Sequence, residues 1–160
     1  MITTSKYYVF KKCLPLLSLL VGVLFSGQML AQDTSSPIGQ WKTIDDETGK
    51  PKSIIEIYDN NGELEGKIIE LLNPSKPNPL CDKCEGERKN QAITGMVIIW
   101  GVTANEENTK WGGGKILDPK KGKIYKVKFS LKDNGGKLKV RGYIGAPLLG
   151  RTQVWERVSL

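Results

Sequence analysis

Tyr125-Lys-Val-Lys-Phe-Ser-Leu-Lys-Asp-Asn-Gly-Gly-Lys-Leu-Lys-Val-Arg-Gly-Tyr-Ile144 is the stretch that decides the fold. Tyr125, Val127, Phe129 and Leu131 fall on one side of an extended chain, with Lys126, Lys128, Ser130 and Lys132 on the other. Beyond Asp133-Asn134-Gly135-Gly136 the alternation resumes: Leu138, Val140, Gly142 and Ile144 oppose Lys137, Lys139, Arg141 and Tyr143. A period of two belongs to strands with one wet face, and the Asn-Gly pair between them is hairpin-turn chemistry. The segment reads as an antiparallel hairpin.

The same grammar extends in both directions. Gly39 to Ile44, Ser53 to Tyr58 and Leu64 to Leu72 read as strands, the last two joined through Asp59-Asn60-Asn61-Gly62. Met96 to Val102 is almost wholly apolar, as expected of a strand covered on both faces. Lys115 to Leu117 is a short strand, and Gly150 to Val158 is the last. About eight strands with short turns and no long amphipathic helix predict an all-β chain. At this size an antiparallel up-and-down barrel of about eight strands is the natural way to leave no free edge, with an open sandwich as the alternative. Asn73 to about Ala92 is the one long irregular connection.

The first 31 residues read as an address. Lys6, Lys11 and Lys12 precede an apolar run from Leu14 to Phe25, and small Ala31 ends the polar stretch that follows. The run is shorter than the ~20 residues that span a bilayer. The expectation is a cleaved signal peptide over 1–31 and a single exported domain over 32–160, periplasmic or secreted, whose contact with the membrane ends with the signal. Cys13 goes with the signal, leaving Cys81 and Cys84. In an oxidising compartment such a pair is most simply a disulfide that pins the long loop at about 73–92. A redox centre needs a strand before the motif and a helix after it, whereas here Pro74, Pro77 and Pro79 precede it.

The chain has 24 Lys and Arg, 17 Asp and Glu, and no histidine. Without histidine there is no Ser-His-Asp or Cys-His pair and no His-ligated metal. Two cysteines cannot close a zinc site, so neither metal nor cofactor is expected. Charge is uneven: Gln32 to Glu107 is net −6 and Asn108 onward is net +10. A basic half of this kind can meet anionic lipid, polysaccharide or an acidic ligand, although solvated strand lysines explain most of it. Nucleic acid is not expected of an exported chain lacking an aromatic-rich basic motif.

Three motifs fall to simpler readings. Trp111-Gly-Gly-Gly-Lys115 lacks P-loop spacing and reads as a strand bend. Asp59 to Glu63 carries its glycine too early for a calcium loop. Asp45-Asp46-Glu47 is explained as a charged turn before Gly49. No residue is assigned a catalytic role. Binding is carried instead by Arg141, Tyr143, Arg151 and Gln153, whose planar forks, phenol and amide suit a carboxylate, phosphate or sugar. Trp111 and Trp100 join them as candidate aromatic surfaces. Strand alternation alone does not say which face is the lumen.

Gly39-Gln40-Trp41 on the first strand, with Arg157 on the last, resembles the Gly-x-Trp and terminal-Arg signature of the calycin barrels, including lipocalins. That resemblance implies that Arg157 packs over Trp41 and closes one barrel end. A wider set of motifs covers nearly all of the exported chain: Trp41 to Ser53, Cys81-x-x-Cys84, Gly95-Met96, Trp111-Gly-Gly-Gly, Ile116 to Pro119, Gly122-Lys-x-Tyr125, Val140 to Gly145 and Gly150-Arg-Thr-Gln-x-Trp155. Together they resemble domain of unknown function 2147, a family of small exported bacterial proteins. This implies a β-barrel and an envelope location but no activity. The expectation is a monomeric, calycin-like binder of a small amphipathic or anionic molecule, against an envelope lyase or isomerase, or a docking module.

Overall fold

The structure is a computed structural model that describes Met1 and residues 33–158. The expected signal peptide lies outside the described residues, apart from Met1. Nine strand segments follow in order: β1 Gly39–Ile44, β2 Pro51–Asn60, β3 Glu63–Leu71, β4 Val97–Ala104, β5 Trp111–Gly112, β6 Lys115–Asp118, β7 Lys123–Lys132, β8 Lys137–Tyr143 and β9 Arg151–Arg157. Each pairs antiparallel with its neighbours, and β9 returns to pair with β1, so the sheet closes. β5 and β6 both lie between β4 and β7 and are two halves of one broken strand. The result is the expected eight-stranded up-and-down barrel. Among the described residues there is no α-helix, only three short 3₁₀ turns.

The break in that strand is the Gly-Gly-Gly run. Gly113 sits at φ 81°, and a Cβ on Gly114 would lie 2.5 Å from the Trp100 carbonyl oxygen. Only glycine lets the two backbones come so close, which is why this stretch bends.

Alternation sorts the side chains into lumen and wall. Trp41, Ile55, Ile57, Ile99, Val127, Phe129, Leu138, Val140 and Trp155 are buried, and the register matches them across the ladders as Trp41–Ile55, Phe129–Val140 and Leu138–Trp155. Ile99 reaches across Gly66 on the same inner face. Side chains thus fill the middle of the barrel. Burying each large one contributes roughly 1.5–3 kcal/mol.

β4 is covered on both faces, as its composition implies. Ile98 and Trp100 point to the outer wall beside Leu117, and the connection between β3 and β4 folds back over them. Cys81 and Cys84 form the disulfide, and both are buried in the same apolar cluster as Ile98 and Leu117. A Leu80–Ala92 bridge and the Cys81 N–H donating to the Gln91 carbonyl close the base of this loop.

The two ends differ. The N-terminal segment, the β2–β3 turn and the β7–β8 turn gather at one end. The β1–β2 loop, the β3–β4 connection, the β6–β7 turn and the β8–β9 loop gather at the other.

Candidate functional site

Trp41 and Arg157 seal the first end. The Trp41 Nε1–H donates to the Pro37 carbonyl at 2.7 Å, and the Arg157 guanidinium lies 4.2 Å from the ring centroid. Its Nε, Nη1 and Nη2 donate to the carbonyls of Gly135, Ile38 and Ser36. Burial lowers the Arg157 pKa, while the nearby Asp33 charge works the other way. Beside this plug a groove of about 1030 Å³ runs between Asp33–Ser36, Glu107–Thr109 and Leu131–Gly135, with Trp111 in its wall.

The opposite end carries a polar network. The Trp155 Nε1–H donates to Gln153 Oε1 at 3.1 Å, and Gln153 Nε2–H donates to Asp46 Oδ2 at 2.5 Å. Arg151 forms an ion pair with the same Asp46 oxygen. Arg151 remains 55% exposed and Asp46 31%. Asp46 belongs to the β1–β2 loop, whose turn is set by the Asp45 carboxylate accepting the Glu47 and Thr48 N–H groups. Hydrogen bonds from Thr48 hold the Asp45 carboxyl below the usual range. The next residue, Glu47, pairs with Lys120 of the β6–β7 turn at 3.0 Å. Because β1–β2 and β6–β7 lie on opposite sides of the barrel, the loop is tied across the mouth like a strap. Beneath it, Thr43 and Ser53 share a buried hydroxyl–hydroxyl bond of 2.7 Å. Tyr125 and Ile116 sit against Gly142 on the inner face.

The barrel separates the six candidate binding residues. Arg151 and Gln153 meet at the mouth. Trp111 lines the groove at the sealed end. Trp100 lies on the outer wall under the Arg88 guanidinium, 4.5 Å from its ring centroid. Arg141 and Tyr143 also alternate outward, and Arg141 donates to the Pro147 and Leu148 carbonyls and the Thr152 hydroxyl. Its guanidinium pins the β8–β9 loop. Arg141, Tyr143 and Trp100 therefore lie apart from Arg151 and Gln153.

Residues 39–157 match the family described as "Uncharacterized protein conserved in bacteria (DUF2147)". The chain belongs to this family. Among solved structures, the barrel is similar to a Helicobacter pylori protein, HP1028, described as belonging to the lipocalin family. The TM-score is 0.66 at 23% identity, over 76% of this chain and 82% of that one. No curated protein matches the chain. The lipocalin-like barrel expected from Gly39, Trp41 and Arg157 is thus the fold of this DUF2147 member.

Asp46 is the mouth residue that sequence reasoning misses, because a charged turn already accounts for Asp45-Asp46-Glu47. A signal is present all the same. In an antiparallel pair, each residue added along β1 removes one along β9, so Trp41 opposite Arg157 carries Asp45 and Asp46 to the level of Gln153 and Thr152.

Proposed function

We propose that this DUF2147 protein is an exported envelope protein that binds a small amphipathic or anionic molecule at the barrel mouth, as a monomer and without covalent chemistry. The observation that carries this reading is the Arg151–Asp46–Gln153 network. A guanidinium fork and an amide donor on the inner face meet a carboxylate supplied by a loop of the same chain. An exposed ion pair of this kind contributes only about 0–1 kcal/mol, so an incoming anion that replaces Asp46 loses little and gains a bidentate partner. An apolar tail would lie against Tyr125, Ile116 and the rest of the upper lumen, with Asp46 and its loop moved aside. Small barrels accommodate at most one small ligand, which fits an interior already filled through its middle.

Native mass spectrometry of the protein purified from its own cell envelope tests the reading. A retained small anion with a chain mass beginning near Gln32 is the expected result. The intact N-terminus in the membrane fraction counts against cleavage of residues 1–31 and for an uncleaved anchor. A correctly processed chain that never carries a ligand favours the docking reading, to which the packed middle of the barrel also lends weight.

A further inference from the structure

We infer that the β8–β9 loop and the lysines beside it form a docking surface for an anionic lipid bilayer. Ile144, Leu148 and Leu149 are 65%, 87% and 83% exposed. Soluble proteins scatter single apolar residues over their surfaces, but a cluster of large ones at a loop tip marks a contact.

The loop is held in that shape. Arg141 Nε donates to the Pro147 carbonyl at 2.7 Å and Nη2 to the Leu148 carbonyl at 3.0 Å, while Nη1 binds Thr152 Oγ1 at 2.6 Å. At the loop's end, a Cβ on Gly150 would lie 2.6 Å from the Gly142 carbonyl oxygen and 2.7 Å from Tyr143 Cβ. The backbone is thus drawn tightly against β8, and the two leucine side chains are left projecting. A guanidinium satisfied by backbone carbonyls fixes the tip before any contact, which lowers the ordering cost of binding.

Charge identifies the occupant. On the same end of the barrel, Lys121 sits in the β6–β7 turn, Lys123 opens β7, and Lys126 pairs in register with Tyr143, the last residue of β8. None of these three lysines has a salt-bridge partner among the described residues, and no acidic residue occurs between Asp133 and Glu156. Carboxylates at this end are engaged elsewhere: Asp118 accepts the Lys120 N–H within the turn, Glu47 pairs with Lys120 and Asp46 with Arg151, while Glu85 of the β3–β4 connection lies beside Gly122 and Ile124. Projecting leucines bordered by unpaired lysines match a surface that is apolar below and negative above, which is a bilayer carrying anionic headgroups. Basic charge alone leaves anionic lipid as one of several partners for this half of the chain. The exposed leucines, which only the fold reveals, supply the apolar element that singles out a bilayer. This inference stands apart from ligand binding at Asp46 and Arg151.

The strands that close the barrel all lie between Gly39 and Arg157, so the chain from Gln32 onward is the unit to test, free of the apolar run at 14–25. It is sedimented with vesicles of phosphatidylcholine alone and of phosphatidylcholine with phosphatidylglycerol. The expected result is binding to the anionic vesicles only, weakened by salt. Leu148→Asp with Leu149→Asp should reduce it by roughly tenfold or more, as should Lys121→Glu, Lys123→Glu and Lys126→Glu together. Lys110→Glu, a charge change at the other end of the barrel, should alter it by less than about threefold. Leu149→Trp gives a second readout that needs no loss of function. The emission it adds to that of the wild type should shift to the blue with anionic vesicles and stay put with neutral ones. Equal binding by the double-Asp variant overturns the inference. So does an unshifted added emission from Leu149→Trp, or a self-association of the wild type that the double-Asp variant abolishes without vesicle binding.

Discussion

Arg157 covers the Trp41 ring at 4.2 Å while its three guanidinium nitrogens each hold a backbone carbonyl from the N-terminal segment or the β7–β8 turn. Trp41 is fully buried and bonded to the Pro37 carbonyl. One pair therefore joins the first strand, the last strand and two connections, and the barrel is shut at this end by side chains.

Removing either partner should show the coupling. Trp41→Ala deletes a large buried ring and should cost roughly 3–5 kcal/mol. Arg157→Ala should cost less, through lost packing and three carbonyls returned to water. Denaturant melts of the two single variants and the double variant check this. The double should lose less than the sum of the singles, because the second removal finds its partner already gone. Simple additivity would show that the ring and the guanidinium do not support each other.

The disulfide makes a different prediction. It closes a very short loop, so its effect on chain entropy is small, and its sulfurs also act as buried apolar bulk beside Ile98 and Leu117. Cys81→Ala with Cys84→Ala should lower the melting temperature moderately and leave the barrel's β-sheet spectrum intact. Hydrogen exchange should rise at the Cys81 and Asn90 amides, whose bonds close the loop. Loss of the whole fold in this variant would mean that the loop, rather than the strands, organises the barrel.

How much of the molecule is legible in its sequence depends on the range of the signal. The strands and hairpins are readable because alternation and Asn-Gly turns are local, and Trp41 with Arg157 because a short signature encodes the closure. Arg141 illustrates the limit. Its alternation against Leu138 and Val140 puts it on one face, but nothing in the sequence says that the β8–β9 loop returns to receive its guanidinium. Trp100 fails the same way: its partner Arg88 comes from the long connection, whose path local patterning does not specify. Asp46 needs the β1–β9 register, which only barrel closure supplies.

Tyr58 should titrate abnormally. Its hydroxyl donates to Glu65 Oε2 at 2.7 Å, and burial, aided by that bond, pushes its pKa up to about 12. A pKa raised in the folded state means that the stabilising contribution is whole below the ordinary tyrosine value near 10 and is lost as pH rises through about 12. The phenolate absorbance of the wild type minus that of Tyr58→Phe isolates this step. Glu65→Gln should lower the Tyr58 pKa only part of the way, since burial is the larger cause. The Glu65 carboxyl, held low by bonds from Asn60 and Tyr58, contributes stability above the ordinary glutamate value and loses it as pH falls through its own depressed pKa. A Tyr58 step near pH 10 in the folded protein would mean that neither its partial burial nor the Glu65 bond holds the proton on.

The mouth yields the most discriminating experiment, because two substitutions are expected to move binding in opposite directions. Asp46 occupies the Arg151 fork and the Gln153 amide in the free protein, so it competes with any anion that uses them. Asp46→Asn removes that competing charge and should strengthen binding of dodecanoate severalfold. Arg151→Lys keeps the charge but loses the planar fork, and should weaken the same binding by on the order of 1–3 kcal/mol. Neither should change stability by more than about 1 kcal/mol, since the pair is largely exposed. Dodecanol, which has the tail without the charge, should respond to neither change. Calorimetric titration with the two probes, beside thermal melts without them, reads all of these at once. If Asp46→Asn instead weakens dodecanoate binding, Asp46 is part of the receiving surface and the strap does not open. If Arg151→Lys lowers the melting temperature by many degrees and leaves binding unchanged, Arg151 serves to hold the β1–β2 loop down, and the mouth is closed for structural reasons alone.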